Sequence, residues 1–239
     1  MQYGGASFMA ASAFARSALR RSEARSPDRT SRWPSGVCAL LRVIIRLPRV
    51  TVSLTDSPGG CVIRAYLGTR HRGVRSHLLA RGVLALPGTP DDYLPGRSRR
   101  AVRTNISHAA KRGVRCTSLK NGPPAEAAVR RLSAHGLVDN ADVLLARRAD
   151  EWVIALDRDD RVVGGALVTV DRTWAMLNIL VGLSHPVRYA LHTDLVLTLG
   201  ARGVEYLFVS NESALVLPEG LQYLQRILGY RVVNLRLAR

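Results

Sequence analysis

Residues 152–239 carry an ordered series of short elements that few folds can accommodate. Two apolar runs joined by a polar turn, WVIALDRDDRVVGGALVTVD, are followed by AMLNILVG, PVRYALHTDLVLTLGARGV, the short EYLFVS and finally LQYLQRILGYRVVNLRL. Short runs rich in Val, Ile and Leu between turn residues predict strands, and the longer stretches with apolar spacing near 3.6 predict helices. The order is strand, strand, strand, helix, strand, helix, strand. Such a series predicts an α/β protein with a mixed, mostly antiparallel central sheet flanked by helices. Asp157 and Arg161 bound the polar turn of a hairpin, and Gly164 and Gly165 near the start of the next strand mark a bulge or a close backbone approach.

Upstream the signals are weaker. Residues 1–36 lack sustained periodicity and contain SPDRTSRWPSG, which predicts a disordered extension. Their Ala, Ser and Arg content, with Glu23 and Asp28 as the acids, is also the composition of an organellar transit peptide. Residues 37–120 form a section expected to pack on the main domain, residues 121–239, with the break at Asn121-Gly122-Pro123-Pro124. Within that section LLRVIIRL, RVTVSLTD and CVIRAYLG are expected strands, the last two joined by a hairpin at Asp56-Ser57-Pro58-Gly59-Gly60. A helix follows at residues 98–111, with Ser98 as N-cap and Gly113 as stop. AEAAVRRLSAHG and ADVLLARRADE predict two more helices before the sheet.

Charge and cysteine usage bound the function classes. The formal net charge is +17, which invites anionic partners. Of the 35 basic residues, however, only Lys111 and Lys120 are lysines, an arginine bias that a GC-rich genome produces without selection for binding. Cys38, Cys61 and Cys116 are far apart and form no C-x-x-C pair, so neither a zinc site nor a disulfide framework is indicated, and a reducing cytoplasm is the expected compartment. VCALLRVIIRLPRV is broken by Arg42, Arg46 and Arg49, whereas a spanning helix needs about 20 largely uncharged residues, so no membrane span is expected. H-E-x-x-H, G-x-S-x-G and the phosphate-binding G-x-x-x-x-G-K-[ST] are absent.

The chemistry-bearing stretch is VGLSHPVRYALHTDLV, which passes from a strand into a helix through a short turn. Backbone N–H groups around Val187, Arg188 and Tyr189 would point at whatever lies before the helix, reinforced by the positive end of its dipole and by the Arg188 charge. From Trp152 onward the element order resembles the GNAT superfamily of acyltransferases. In that family the strand before this helix splays from its neighbour and the helix start cradles the pyrophosphate of acyl-coenzyme A. The resemblance implies acetyl-CoA as acyl donor and a small-molecule or peptide amine as acceptor. It places Leu180, Val181 and Gly182 along the pantetheine, Val187, Arg188, Tyr189 and Ala190 at the phosphates, and Ser210 and Asn211 beside the thioester. The family's spaced glycines at the helix start are missing from HPVRYALH. The tail resembles the family's final helix and strand, where a tyrosine acts as general acid toward the departing thiolate. Tyr223 is the candidate, two residues before the usual place, which Gln225 takes.

A second segment, YLPGRSRRAVRTNISHAAKRGVRC at residues 93–116, is similar to one in Fem-type aminoacyl transferases, which are built from GNAT-like domains. That resemblance implies tRNA as a partner, through a basic helix at residues 98–112 on which Arg99, Arg103, Lys111 and Arg112 share part of a face. The expected activity is thus N-acyl transfer, with an aminoacyl-tRNA-dependent transferase or a catalytically silent GNAT-like binding module as alternatives. Asp171, His185 and a water chain are all open as the base, and His192 is a further histidine on the same helix.

Overall fold

The computed structural model describes residues 46–71, 74–75, 80–146, 150–210, 214, 217 and 219–238. The expected extension at residues 1–36 lies outside them. In chain order the elements are β1 (Arg49–Val52), α1 (Pro58–Gly68), β2 (Arg70–His71), β3 (Val74–Arg75), β4 (Ala80–Ala85), α2 (Pro90–Tyr93), α3 (Arg100–Lys111), β5 (Arg115–Leu119), α4 (Pro123–Ala134), α5 (Ala141–Leu145), β6 (Asp150–Leu156), β7 (Val162–Asp171), β8 (Trp174–Gly182), α6 (His185–Ala201), β9 (Tyr206–Val209), α7 (Glu219–Ile227) and β10 (Arg231–Leu237). This is the expected mixed α/β fold. Among the described residues no helix is long and apolar enough to cross a membrane.

Contacts gather the described residues into two units, one of those within 54–65 and 84–210, the other of those within 46–53, 66–83 and 214–238. In the second, β10 pairs with β1 in parallel and with β4 antiparallel. In the first, strands run in the order β9-β8-β7-β6-β5. The β5/β6, β6/β7 and β7/β8 pairs are antiparallel and β8/β9 is parallel. A parallel pair needs a crossover, and α6 supplies it.

Gly164 and Gly165 show how both faces of this sheet are covered. Consecutive strand residues face opposite sides, and each glycine admits one helix. A Cβ on Gly165 would lie 2.6 Å from Leu132 Cδ1 of α4, while one on Gly164 would lie 2.7 Å from Val187 Cγ1 and 2.9 Å from Leu191 Cδ1 of α6. The close approach expected of these glycines is thus present on both sides. Beneath α4 the core holds Ala125, Val129, Leu132, Trp152, Ile154 and Leu167. On the other face α6 buries Leu191, Leu195, Val196 and Leu199, each contributing roughly 1.5–3 kcal/mol by removal from water.

Two local expectations need correction. CVIRAYLG is the body of helix α1, not a strand, and Asp56-Ser57-Pro58-Gly59-Gly60 opens that helix instead of turning a hairpin. Ser57 Oγ accepts the Gly60 N–H at 2.9 Å, an N-cap followed by proline in the first turn. The glycines let the helix start abut the end of β7, since a Cβ on Gly59 would lie 2.0 Å from the Val170 carbonyl oxygen. Similarly, Ser98 caps nothing: residues Arg97–Arg99 form a 3-10 turn and α3 begins at Arg100. Gly113 does end that helix, at φ +69°, as expected.

Asp171 ties this corner together. Its carboxylate accepts hydrogen bonds from the Thr55 N–H (2.8 Å), Thr55 Oγ1 (2.5 Å) and Ser57 Oγ (2.7 Å). Burial pushes its pKa upward, but the donated hydrogen bonds outweigh that and hold the carboxyl below its ordinary range. Asp171→Asn should cost about 1–3 kcal/mol in urea unfolding at pH 7. With the folded pKa below the unfolded one, this stability is fully present above the unfolded value and is lost as pH falls through the folded value. The variant should lack that acid-side step. Gly164→Ala should cost about 1–3 kcal/mol by overpacking, because the Val181 carbonyl 2.8 Å from the added Cβ cannot move freely. Gly165→Ala, meeting side chains only, should cost less in the same urea titration.

Candidate functional site

The site begins where β8 and β9 stop pairing. Trp174 lies opposite Tyr206, their rings stacked with centroids 4.7 Å apart, and the register continues to Leu177 opposite Val209. A last bond runs from the Ser210 N–H to the Leu177 carbonyl at 2.9 Å. Beyond it, among the described residues, no strand pairs with the β9 side of residues 178–182, although β7 pairs with their other side as far as Gly182. Burial follows the pairing: β8 is buried through Leu177 and half-buried from Asn178 to Gly182. A register shift falls at the same place: Leu167 lies opposite Ile179 but Val168 lies opposite Leu177. Asn178 is the extra residue, and such a bulge bends its strand.

Leu180, Val181 and Gly182 lie on this open edge, and α6 starts three residues later. Ser184 occupies the N-cap position without a side-chain cap, and the Arg188 N–H already donates to the Ser184 carbonyl at 3.3 Å. The backbone donors at the helix start that have no intrahelical partner are therefore those of His185 and Val187, since Pro186 has none to give. Of the expected Val187, Arg188 and Tyr189, only Val187 therefore keeps a free N–H, and His185 joins it. Val187 and Tyr189 are buried, while Arg188 and Ala190 are partly exposed. Arg188 Nη2 reaches His185 Nδ1 at 3.0 Å, which gives that histidine a neighbouring cation.

Beside the helix start is a cleft of about 530 Å³ lined by Arg112, Val114, the β6–β7 turn at Asp157, Arg158 and Asp159, then Val163, Leu183, Ser184 and Val187. Its acids are engaged. Asp157 Oδ1 accepts the N–H groups of Asp159 (2.9 Å) and Arg161 (3.0 Å), and these bonds, the one from Arg161 foremost, hold its carboxyl below the ordinary range. Asp159 pairs with Arg161 at 3.8 Å. Arg112 and Arg158, by contrast, make no salt bridge among the described residues. The cleft joins two cations to the positive end of a 17-residue helix, a combination suited to phosphate. Sequence reasoning missed Arg158, which reads there as an ordinary turn residue.

Other candidates stand apart. Asp171 is at the far end of β7 from Gly164, seven residues or roughly 23 Å along the strand, and is saturated with donors. His192 is fully buried, 3.2 Å from the Tyr93 hydroxyl, and burial pushes its pKa down to about 3, so it stays neutral inside the core. Of the basic helix, Arg103 donates to the carbonyls of Leu94 (2.5 Å) and Gly96 (2.9 Å), and Arg99 lies 4.6 Å over the Tyr93 ring. Lys111 and Arg112 remain exposed at its end. In the other unit, Tyr223 is exposed on α7 with the Arg226 guanidinium 5.3 Å over its ring. Gln225 is buried there, and a Cβ on Gly82 would come within 2.7 Å of its Oε1. Asn211 lies outside the described residues.

No protein-family model matches the sequence, and no curated protein matches it. Among solved structures the chain is similar to L-PGS from Bacillus licheniformis, at 11% identity and a TM-score of 0.45 over 54% of this chain and 44% of that one. It is similar to the C-terminal domain of a putative lysylphosphatidylglycerol synthetase from Agrobacterium fabrum at 13% identity and TM-score 0.43, over 54% and 45%. A tandem GNAT protein from the clavulanic acid biosynthesis pathway gives 13% identity and TM-score 0.42 over 85% of this chain and 68% of that one. The chain spans less than half the length of the first two. What defines the fold is its own strand order and crossover, described above.

Proposed function

We propose that this chain is an N-acyltransferase that moves an acetyl group from acetyl-CoA to an amine. The observation that carries the reading is the end of β8–β9 pairing after Leu177, at the carboxyl ends of two parallel strands joined by the helix that starts there. Crevices at such strand ends are where open α/β sheets bind ligands. The exposed edge at residues 178–182 offers backbone donors and acceptors to the amide groups of a pantetheine arm, in the manner of an added strand. The helix start, with Arg112 and Arg158, takes the phosphates. Catalysis is then chiefly positional: the neutral amine attacks the thioester carbonyl, the C–N bond forms, the C–S bond breaks, and the thiolate takes up a proton. The resemblance alone offers Tyr223 as the source of that proton, tested by the loss of rate in Tyr223→Phe.

Titration calorimetry with acetyl-CoA tests the reading, with micromolar affinity expected and no heat at millimolar ligand sinking it. Arg112→Glu combined with Arg158→Glu should weaken binding roughly tenfold at low ionic strength, and the gap should narrow with added salt. Binding with no turnover against a panel of amines would favour the catalytically silent module instead.

A further inference from the structure

Asn178 does more than bulge the strand. Its Nδ2 donates to Thr169 Oγ1 at 2.9 Å, and the Thr169 hydroxyl in turn donates to the Asp150 carboxylate. The three residues form a row across β8, β7 and β6, with Asp150 directly opposite Thr169. Thr169 is fully buried and Asp150 is 2% exposed, whereas Asn178 is half-buried at the rim of the parted strands.

The row has a direction, and the carboxylate sets it. The Thr169 hydroxyl gives its single proton to Asp150, so its lone pairs face Asn178. Those lone pairs require the NH₂ side of the amide. The orientation of the Asn178 side chain is therefore fixed by chemistry, with Nδ2 inward and the carbonyl Oδ1 outward. Oδ1 has no partner among the described residues. It stands beside Leu177, where the slot closes, four residues or roughly 13 Å along the strand from Gly182.

The side of the sheet also matters. Thr169 shares the face of Gly165 and Leu167, which α4 covers, whereas α6 packs on the opposite face at Gly164. The Asn178 amide, bonded to Thr169, therefore lies on the face opposite the one that α6 covers.

Resting on the acyltransferase reading, we propose that Asn178 Oδ1 accepts a hydrogen bond from the N–H of the incoming amine and so aims the nitrogen lone pair at the thioester, while Thr169 and Asp150 act as positioning residues that hold the amide in that orientation. An amine nucleophile keeps a lone pair free only if its contacts with the protein are made through its N–H groups. An outward-facing carbonyl supplies that contact, and an outward-facing NH₂ would compete for the lone pair.

Hydroxylamine is a suitable probe because it presents N–H donors without requiring the natural acceptor. Its reaction with acetyl-CoA forms the N–C bond of acetohydroxamate, breaks the C–S bond and passes the nitrogen's proton to the departing thiolate. The second-order rate constant in hydroxylamine is measured by thiol release, and the coenzyme A dissociation constant by calorimetry, for the full chain and its variants. Asn178→Ala and Asn178→Leu should lower the rate constant about tenfold or more while changing the coenzyme A constant less than twofold. Thr169→Val should lower the same rate constant several-fold, and Thr169→Ser, which restores the hydroxyl, should recover it. A loss of coenzyme A affinity in Asn178→Leu matching the loss in rate would overturn the proposal, because the carbonyl would then serve an amide of the donor. So would a wild type that binds coenzyme A but gives no hydroxylaminolysis above hydrolysis, or a Thr169→Val variant with unchanged rate. Failure of the wild type to bind coenzyme A at all would instead remove the acyltransferase reading and the proposal with it.

Discussion

Everything at the candidate site depends on an interruption in one hydrogen-bond ladder. Strand β8 is paired on both sides through Leu177 and on one side from Asn178 onward. A strand edge is a row of backbone donors and acceptors that must find water or a partner. Most edges of this kind lie at the rim of a sheet, but this one opens between two neighbours that are bonded a few residues earlier. The stacked Trp174 and Tyr206 rings, and the Glu205 and Tyr206 N–H groups on the Thr173 carbonyl, hold the closed end together. The bulge at Asn178 lies where that pairing ends. The result is an open edge that starts at a fixed point in the sheet and is backed along its length by β7.

Two glycines in succession let a helix pack on each face of the sheet beside that edge. If either carried a side chain, the helix on its side would stand off the strand, and the start of α6 would lose its place over Gly182, whose own added Cβ would meet Val187 at 3.0 Å. The same packing that stabilises the domain therefore sets where the helix dipole points.

Element type and order from Trp152 onward were legible because periodicity, turn residues and capping signals agree there. CVIRAYLG was not, since eight residues rich in Val, Ile, Tyr and Leu read as a strand, and its helix is enforced by the Ser57 cap and by close packing on Val170. Arg188 was legible as the cation of a helix start, while the exact donors were not, because an error of one residue in the helix boundary moves the free N–H groups by one. The Asn178 bulge left no local trace. Its residue type is common and its neighbours in AMLNILVG look like any buried strand, so only the pairing of β7 with β8 reveals it. Polar residues far apart in sequence, Asp150, Thr169 and Asn178, become a row only once three strands are in register.

The overall charge of +17 says little about any of this. Some of the arginine is engaged locally: Arg103 on the carbonyls of Leu94 and Gly96, Arg202 on Glu151, Arg64 on Asp56. Exposed charges more than about 8 Å apart are largely screened at physiological ionic strength, so a distant surplus cannot define a site. What singles out the cleft is local. Arg112 and Arg158 line it outside any salt bridge among the described residues, the acids between them are taken up by their own turn, and the helix start adds its partial charge at the same point. The fold brings Arg112, Arg158 and the helix start to one place, next to the open strand edge that runs from Gly182 back to Asn178.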